Sequence, residues 1–194
     1  LVRVWRTSPH SQSWPFSAAN FFDQRAQNTV FDKMAAYNFS SRNLTEQGQT
    51  AERLLGLAAT ADFFPLMEVA PARGRVFKPE EFEPGADNVI VLTDRFWARR
   101  FGSDPNIVGK RIQLDGKTVE IVGVMPPGFH FPTPDVDLWL SLYSITSTRE
   151  GLLSPWLVGL IEGMYIGLGG SDRLGLAGGS AVPPDGSSVD AVRM

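Results

Sequence analysis

Apolar positions in this chain come in short runs whose period keeps changing, and residues 88–127 carry the densest set. Asn88-Val-Ile-Val-Leu-Thr93 is apolar and β-branched, the length of one buried strand. Asp94 follows as a helix cap. Phe96, Trp97 and Phe101 then share one helical face, with Arg99 and Arg100 pointing to solvent on the other. Gly102 ends that helix, since a residue without Cβ takes the left-handed closing conformation cheaply. Asp104-Pro105 opens another helical turn that stops at Gly109. Beyond it Ile112 and Leu114 alternate with Arg111, Gln113 and Asp115, and Val119, Ile121 and Val122 resume the apolar pattern. Asp115-Gly116 between two such runs predicts a hairpin, because a type I′ turn needs positive φ at both central residues.

The remaining segments are shorter versions of the same reading. Residues 1–16 lack periodicity. Ser17 caps a helix through about residue 27, and a second helix is expected where Val30, Phe31 and Met34 form one apolar face. Residues 37–45 and 52–60 read as strands. Asp62 caps a short helix carrying Phe63, Phe64 and Met67. Pro71 to Pro84 is loop-rich and acidic, Pro126-Pro127-Gly128 is a turn cluster, and residues 137–142 form a last short strand. Past residue 143 the character changes: the tail holds more than half of the 19 glycines and no lysine, and residues 167–188 read as linker.

A family resemblance rests on several motifs in series. Phe-Trp-Ala-Arg-Arg-Phe-Gly-Ser-Asp-Pro-Asn-Ile-Val-Gly-Lys (96–110) is followed by Leu114-Asp-Gly, by Val-Gly-Val-Met-Pro-Pro-Gly-Phe (122–129) and by Asp137-Leu-Trp139. Upstream stand Phe21-Phe-Asp-Gln-Arg25, Phe31-Asp-Lys-Met-Ala-Ala-Tyr37, Asn43-Leu-Thr45, Ala61-Asp-Phe-Phe64 and Gly74-Arg-Val-Phe77. Over about residues 15–143 the chain resembles the MacB-like periplasmic core domain of ABC-type, MacB/FtsX-like permeases. The resemblance implies a bacterial inner-membrane protein whose periplasmic domain does no chemistry. It also implies partners: the transmembrane helices and ATP-binding subunit of the same transporter, and a periplasmic partner protein. In the family a further strand and helix follow the strand at 137–142, and nothing from Gly151 to Met194 matches them.

Composition narrows the rest. The 43% hydrophobic and 20% charged content is that of an ordinary globular chain with a sizeable core. A net charge of −3 gives no footprint for nucleic acid. Cysteine is absent, so disulfides, thiolate metal sites and thiol catalysis are unavailable. The chain begins at Leu1 without a leader and reads as a fragment.

Candidate chemistry fails on spacing. Gly116-Lys117-Thr118 ends like a phosphate-binding loop, but position 111 is Arg where the motif needs glycine. His10 and His130 are too few and too isolated for a zinc site. Glu80, Glu81 and Glu83, like Asp135 and Asp137, lie in polar loops and read as a solvated face. Asn38-Phe-Ser40 and Asn43-Leu-Thr45 fit the glycosylation acceptor pattern, which is frequent by chance. Residues 152–168 carry Gly159, Gly163 and Gly167 like a transmembrane packing face. They are shorter than the roughly 20 residues of a span and include Glu162.

These readings converge on an α+β chain: a mixed sheet with short helices, in two lobes, with an incomplete or disordered C-terminal part. Residues 1–143 form the core domain and 144–194 a divergent Gly-rich tail, frameshifted or disordered. Without the missing strand and helix, residues 37–60 and 137–142 are expected to leave an unpaired sheet edge. No catalytic, cofactor-binding or metal-ligating residue is assigned. The function that the resemblance implies is a non-catalytic extracytoplasmic relay; the alternative is a soluble module binding a hydrophobic small molecule.

Overall fold

The computed structural model describes residues 2–8, 11–14, 18–46, 50–83, 85–86, 88–142, 167–169 and 187–191, with side chains from 21 to 142 within those ranges. The elements in order are β1 (Val2–Ser8), β2 (Ser11–Trp14), α1 (Ala18–Gln27), β3 (Lys33–Ala35), β4 (Tyr37–Thr45), β5 (Glu52–Ala59), α2 (Phe63–Met67) and β6 (Arg73–Gly74). A 3-10 turn over Pro79–Phe82 leads to β7 (Val89–Leu92), α3 (Asp94–Phe101), β8 (Arg111–Leu114), β9 (Lys117–Val124) and β10 (Leu138–Ser141). β11 (Gly167–Gly169) and β12 (Ser187–Ala191) complete the list.

Six of these strands close on themselves. The order β9-β7-β10-β5-β4-β8 returns to β9, and β6 adds to the outside of β9. The β7–β9 and β10–β5 pairs are parallel and the others antiparallel, so the barrel is a mixed sheet. Closure removes the edge expected at residues 37–60 and 137–142: β10 lies between β5 and β7, and β4 between β5 and β8. The sequence reading missed this because β8 pairs with two strands at once, a fact no local pattern carries.

The wall is apolar inside throughout and apolar outside along β7, β10 and the ends of β5 and β9 nearest them. Leu44, Leu54, Ile90, Leu92, Ile112, Leu114, Val119, Ile121, Leu138 and Leu140 come from all six barrel strands and form one buried cluster with Phe96 and Trp97. That cluster is the barrel interior, with α3 laid across it. A second cluster joins Tyr37, Leu57, Val91, Val122 and Trp139 to Phe63, Phe64, Leu66 and Met67 of α2. Alternation along each strand deals residues to the two clusters, which is why β7 and β10 read as continuous apolar runs. One bulge corrects the register: Ile90 faces Ile121 but Val91 faces Gly123, so Val122 is the extra residue and Val124 regains the interior. Gly123 is required there, since a Cβ would come within 2.1 Å of the Arg75 carbonyl oxygen.

Local chemistry explains most elements. Thr93, not Asp94, caps α3; its hydroxyl accepts from the Phe96 amide at 3.1 Å. Gly102 closes the helix at φ 56°. Asp115 and Gly116 turn the β8–β9 hairpin at φ 48° and 79°, as a type I′ turn requires. The Asn43 amide and side chain both donate to the Asp115 carboxylate, fastening that turn to β4.

Several expectations are corrected. Residues 30–34 form no helix: Asn28 Oδ1 accepts from the amides of Val30 and Phe31, while its Nδ2 donates to the Phe31 carbonyl. This side-chain turn diverts the backbone into β3 and leaves Val30 71% exposed. Residues 104–109 form successive tight turns, with the Ile107 amide donating to the Asp104 carbonyl and the Asn106 amide to Asp104 Oδ1. Asp62 makes no cap bond at α2 and instead pairs with Arg25 at 2.6 Å. In the tail, β11 pairs with β3 and β12 with β1. The remainder of 143–194, including 152–166 of the tested span, lies outside the described residues, as do Ser17 and His10. No helix among the described residues is long and apolar enough to cross a membrane.

Candidate functional surface

Burial reverses the reading of two acidic residues, Asp137 and Glu81. Asp137 stands just before the buried Leu138-Trp-Leu-Ser141 strand and is itself buried. Its Oδ2 accepts from the Leu55 amide at 3.0 Å, and its Oδ1 lies 3.2 Å from Arg99 and 3.4 Å from Arg95. Its backbone amide donates to the Leu55 carbonyl, and its carbonyl accepts from both the amide and the hydroxyl of Thr93. One residue thereby joins β5, the β7–α3 junction and β10. An acid placed against the apolar run Leu138-Trp-Leu140 is the available signal, since a buried carboxylate needs partners.

The arginines of α3 extend this junction. Arg99 also reaches Glu52 at 2.9 Å, and Arg100 lies 2.7 Å from Glu46. Arg100 is therefore half-buried, contrary to the expectation that it points to solvent. The helix is held by its aromatic face inside and by an ion-pair row outside.

Glu81 is the second buried acid in what was read as a solvated loop. Arg75 grips it through both nitrogens, at 2.8 and 2.5 Å, and the Lys78 amide donates to it at 2.8 Å. Burial pushes the Glu81 carboxyl up, but the Arg75 and Lys78 hydrogen bonds and charges outweigh that and hold it below its usual range. Glu80 and Asp135 remain exposed as expected.

A cleft of about 50 Å³ opens between the start of α3 and the loop from β9 to β10, lined by Thr93, Arg95, Phe129, His130, Val136 and Trp139 among others. Small-molecule sites are typically about 300–1,000 Å³, so a whole hydrophobic ligand does not fit. Among the described residues no three His, Asp or Glu side chains converge as metal ligands. His130 is exposed at the cleft. Gly116-Lys117-Thr118 lies in the hairpin turn, where no phosphate-cradling helix follows. Asn38 is buried, and the Asn43 amide is engaged by Asp115.

Residues 1–173 match the family model of the MacB-like periplasmic core domain. The fold is similar to the extracellular domain of the ABC-type transporter YknZ from Gram-positive bacteria. That match has a TM-score of 0.62 at 11% identity and covers 89% of this chain and 84% of that one. It is also similar to the periplasmic region of MacB from Actinobacillus actinomycetemcomitans, with a TM-score of 0.62 at 12% identity, covering 89% and 76%. At such identities the likeness is one of fold. No curated protein sequence matches the chain.

Proposed function

The chain belongs to the MacB-like periplasmic core domain family, a non-catalytic extracytoplasmic domain, and from that premise we propose that it relays movement across a bacterial inner membrane. The transmembrane helices and ATP-binding subunit of an ABC-type permease would supply the movement, and a substrate or a periplasmic partner would receive it. The observation that carries this reading is the closed barrel tied at Asp137. A barrel closed on itself and filled inside moves as one body instead of deforming, which suits it to transmit a displacement. The 50 Å³ cleft is too small to favour the hydrophobic-ligand reading.

Hydrogen exchange on the full-length transporter in lipid vesicles tests the relay. Trapping the ATP-bound state should change amide protection in the segments bordering the barrel and leave the barrel strands unchanged. Identical protection everywhere with and without ATP would remove the reading, because a relay must distinguish two states.

The division at residue 143 belongs to the same proposal. Both described hydrophobic clusters lie before it, and only β11 and β12 are described after it. Limited proteolysis should cut first in the tail, at about residues 145–180, and leave a resistant barrel; equal resistance of the tail would join it to the core.

A further inference from the structure

Trp139 is buried in the barrel wall and Trp97 on α3 against the interior, and they differ in one atom's fate. The Trp97 indole N–H donates to the Asp104 carbonyl at 3.0 Å. Among the described residues the Trp139 indole N–H, on a side chain with 0% exposure, has no acceptor. Buried indole N–H groups ordinarily find a partner, so an orphan calls for a reason. Trp139 is also a wall of the cleft under the β9–β10 loop. Phe129 of that loop packs on its ring at 5.4 Å between centroids, and Phe64 packs on it at 5.7 Å.

We propose that this cleft is a docking pocket for one residue of an extended segment of a partner protein, whose main-chain carbonyl accepts from the Trp139 indole N–H. Its volume suits one small side chain and excludes a whole ligand. Pro126, Phe129, Pro134, Val136 and Trp139 supply apolar walls of the kind that hold proline-containing extended peptides. Asp94 beside Arg95 sets opposite charges at the same rim, which favours a neutral amide over a carboxylate. Phe129 packs on the ring that carries this buried N–H, so docking there requires the Phe129 side of the loop to lift, and docking and loop movement are one event. The relay reading concerns a movement and this one a pocket, so they fail in different experiments.

Indole N–H resonances of the nitrogen-15-labelled 194-residue chain provide the test. The Trp139 signal is identified by its loss in Trp139→Phe, or by contacts to the Phe129 and Phe64 rings in the unmutated chain should that variant fail to fold. N-acetylproline methylamide should shift this signal saturably downfield, while acetate at equal concentration should shift it several-fold less. No shift with the amide would overturn the pocket. A response to acetate alone would overturn the carbonyl assignment and mark an anion site instead.

Discussion

The barrel interior and the aromatic layer outside it are built from the same strands but by different means. Inside, aliphatic residues from six strands meet Phe96 and Trp97, which lie within a few positions of one another on one helix. Outside, Tyr37 meets Phe63 and Phe131 edge-on and those two rings tilt against each other, all at 5.5–6.0 Å, although they come from β4, α2 and the β9–β10 loop. The interior is a packed solid whose loss is felt everywhere. The outer layer is an assembly of loop and helix pieces, half-buried at Phe129 and Phe131, and it is the part with room to move. A relay needs both: a body that keeps its shape and a covering that can change contacts.

Truncating the interior should do most damage. Trp97→Ala is expected to cost about 3–5 kcal/mol in a urea titration, as large core truncations do. Phe131→Ala, in the outer layer, should cost clearly less. Equal losses would erase the distinction between the two layers.

Asp137→Ala comes next, at about 1–3 kcal/mol, because it strands the Leu55 amide under buried neighbours and releases Arg95 and Arg99. The arginines are half-exposed and contribute less than their charges suggest. A variant as stable as the parent chain would show that closure alone holds the junction.

Gly116→Val should cost about 1–3 kcal/mol, since a β-branched residue is strained at φ 79°. Nothing lies within 4 Å of a Cβ built there, so backbone strain is the only cost being measured. An unchanged midpoint would mean that the hairpin turn relaxes freely, as a covering segment can and a barrel wall cannot.

The smallest effect is a pH dependence outside the barrel. The Glu81 carboxyl is depressed in the fold, so its contribution is present above the unfolded value of about 4.3 and is lost as pH falls through the lower, folded value. Glu81→Gln should therefore be less stable than the parent near neutrality, and the difference should shrink on acidification below about pH 4. A difference that stays constant with pH would assign the loss to packing instead of charge.

Much of this was legible in one dimension because it is local. Thr93 to Gly102 as a capped helix, Asp115-Gly116 as the turn, and the strands at 37–45, 52–59 and 89–92 each follow from residues within a few positions of one another. The helix expected at 30–34 failed where a single asparagine side chain competed with periodicity, and the cap at 93 was misplaced by one residue.

What the sequence could not state is which distant pieces meet. Leu44 faces Leu114 across seventy residues, and that pairing closes the barrel. Asp137 and Glu81 read as solvated acids because each lies close to a proline and other acids along the chain, yet Leu55, Arg99 and Arg75 bury and satisfy them. The chain's own order determined its turns, caps and apolar faces, since these depend on dihedral preference and nearest neighbours. Only the tertiary structure decided strand closure, the fate of each buried acid and the orphaned Trp139 N–H, because a buried polar group is settled by whatever packs against it.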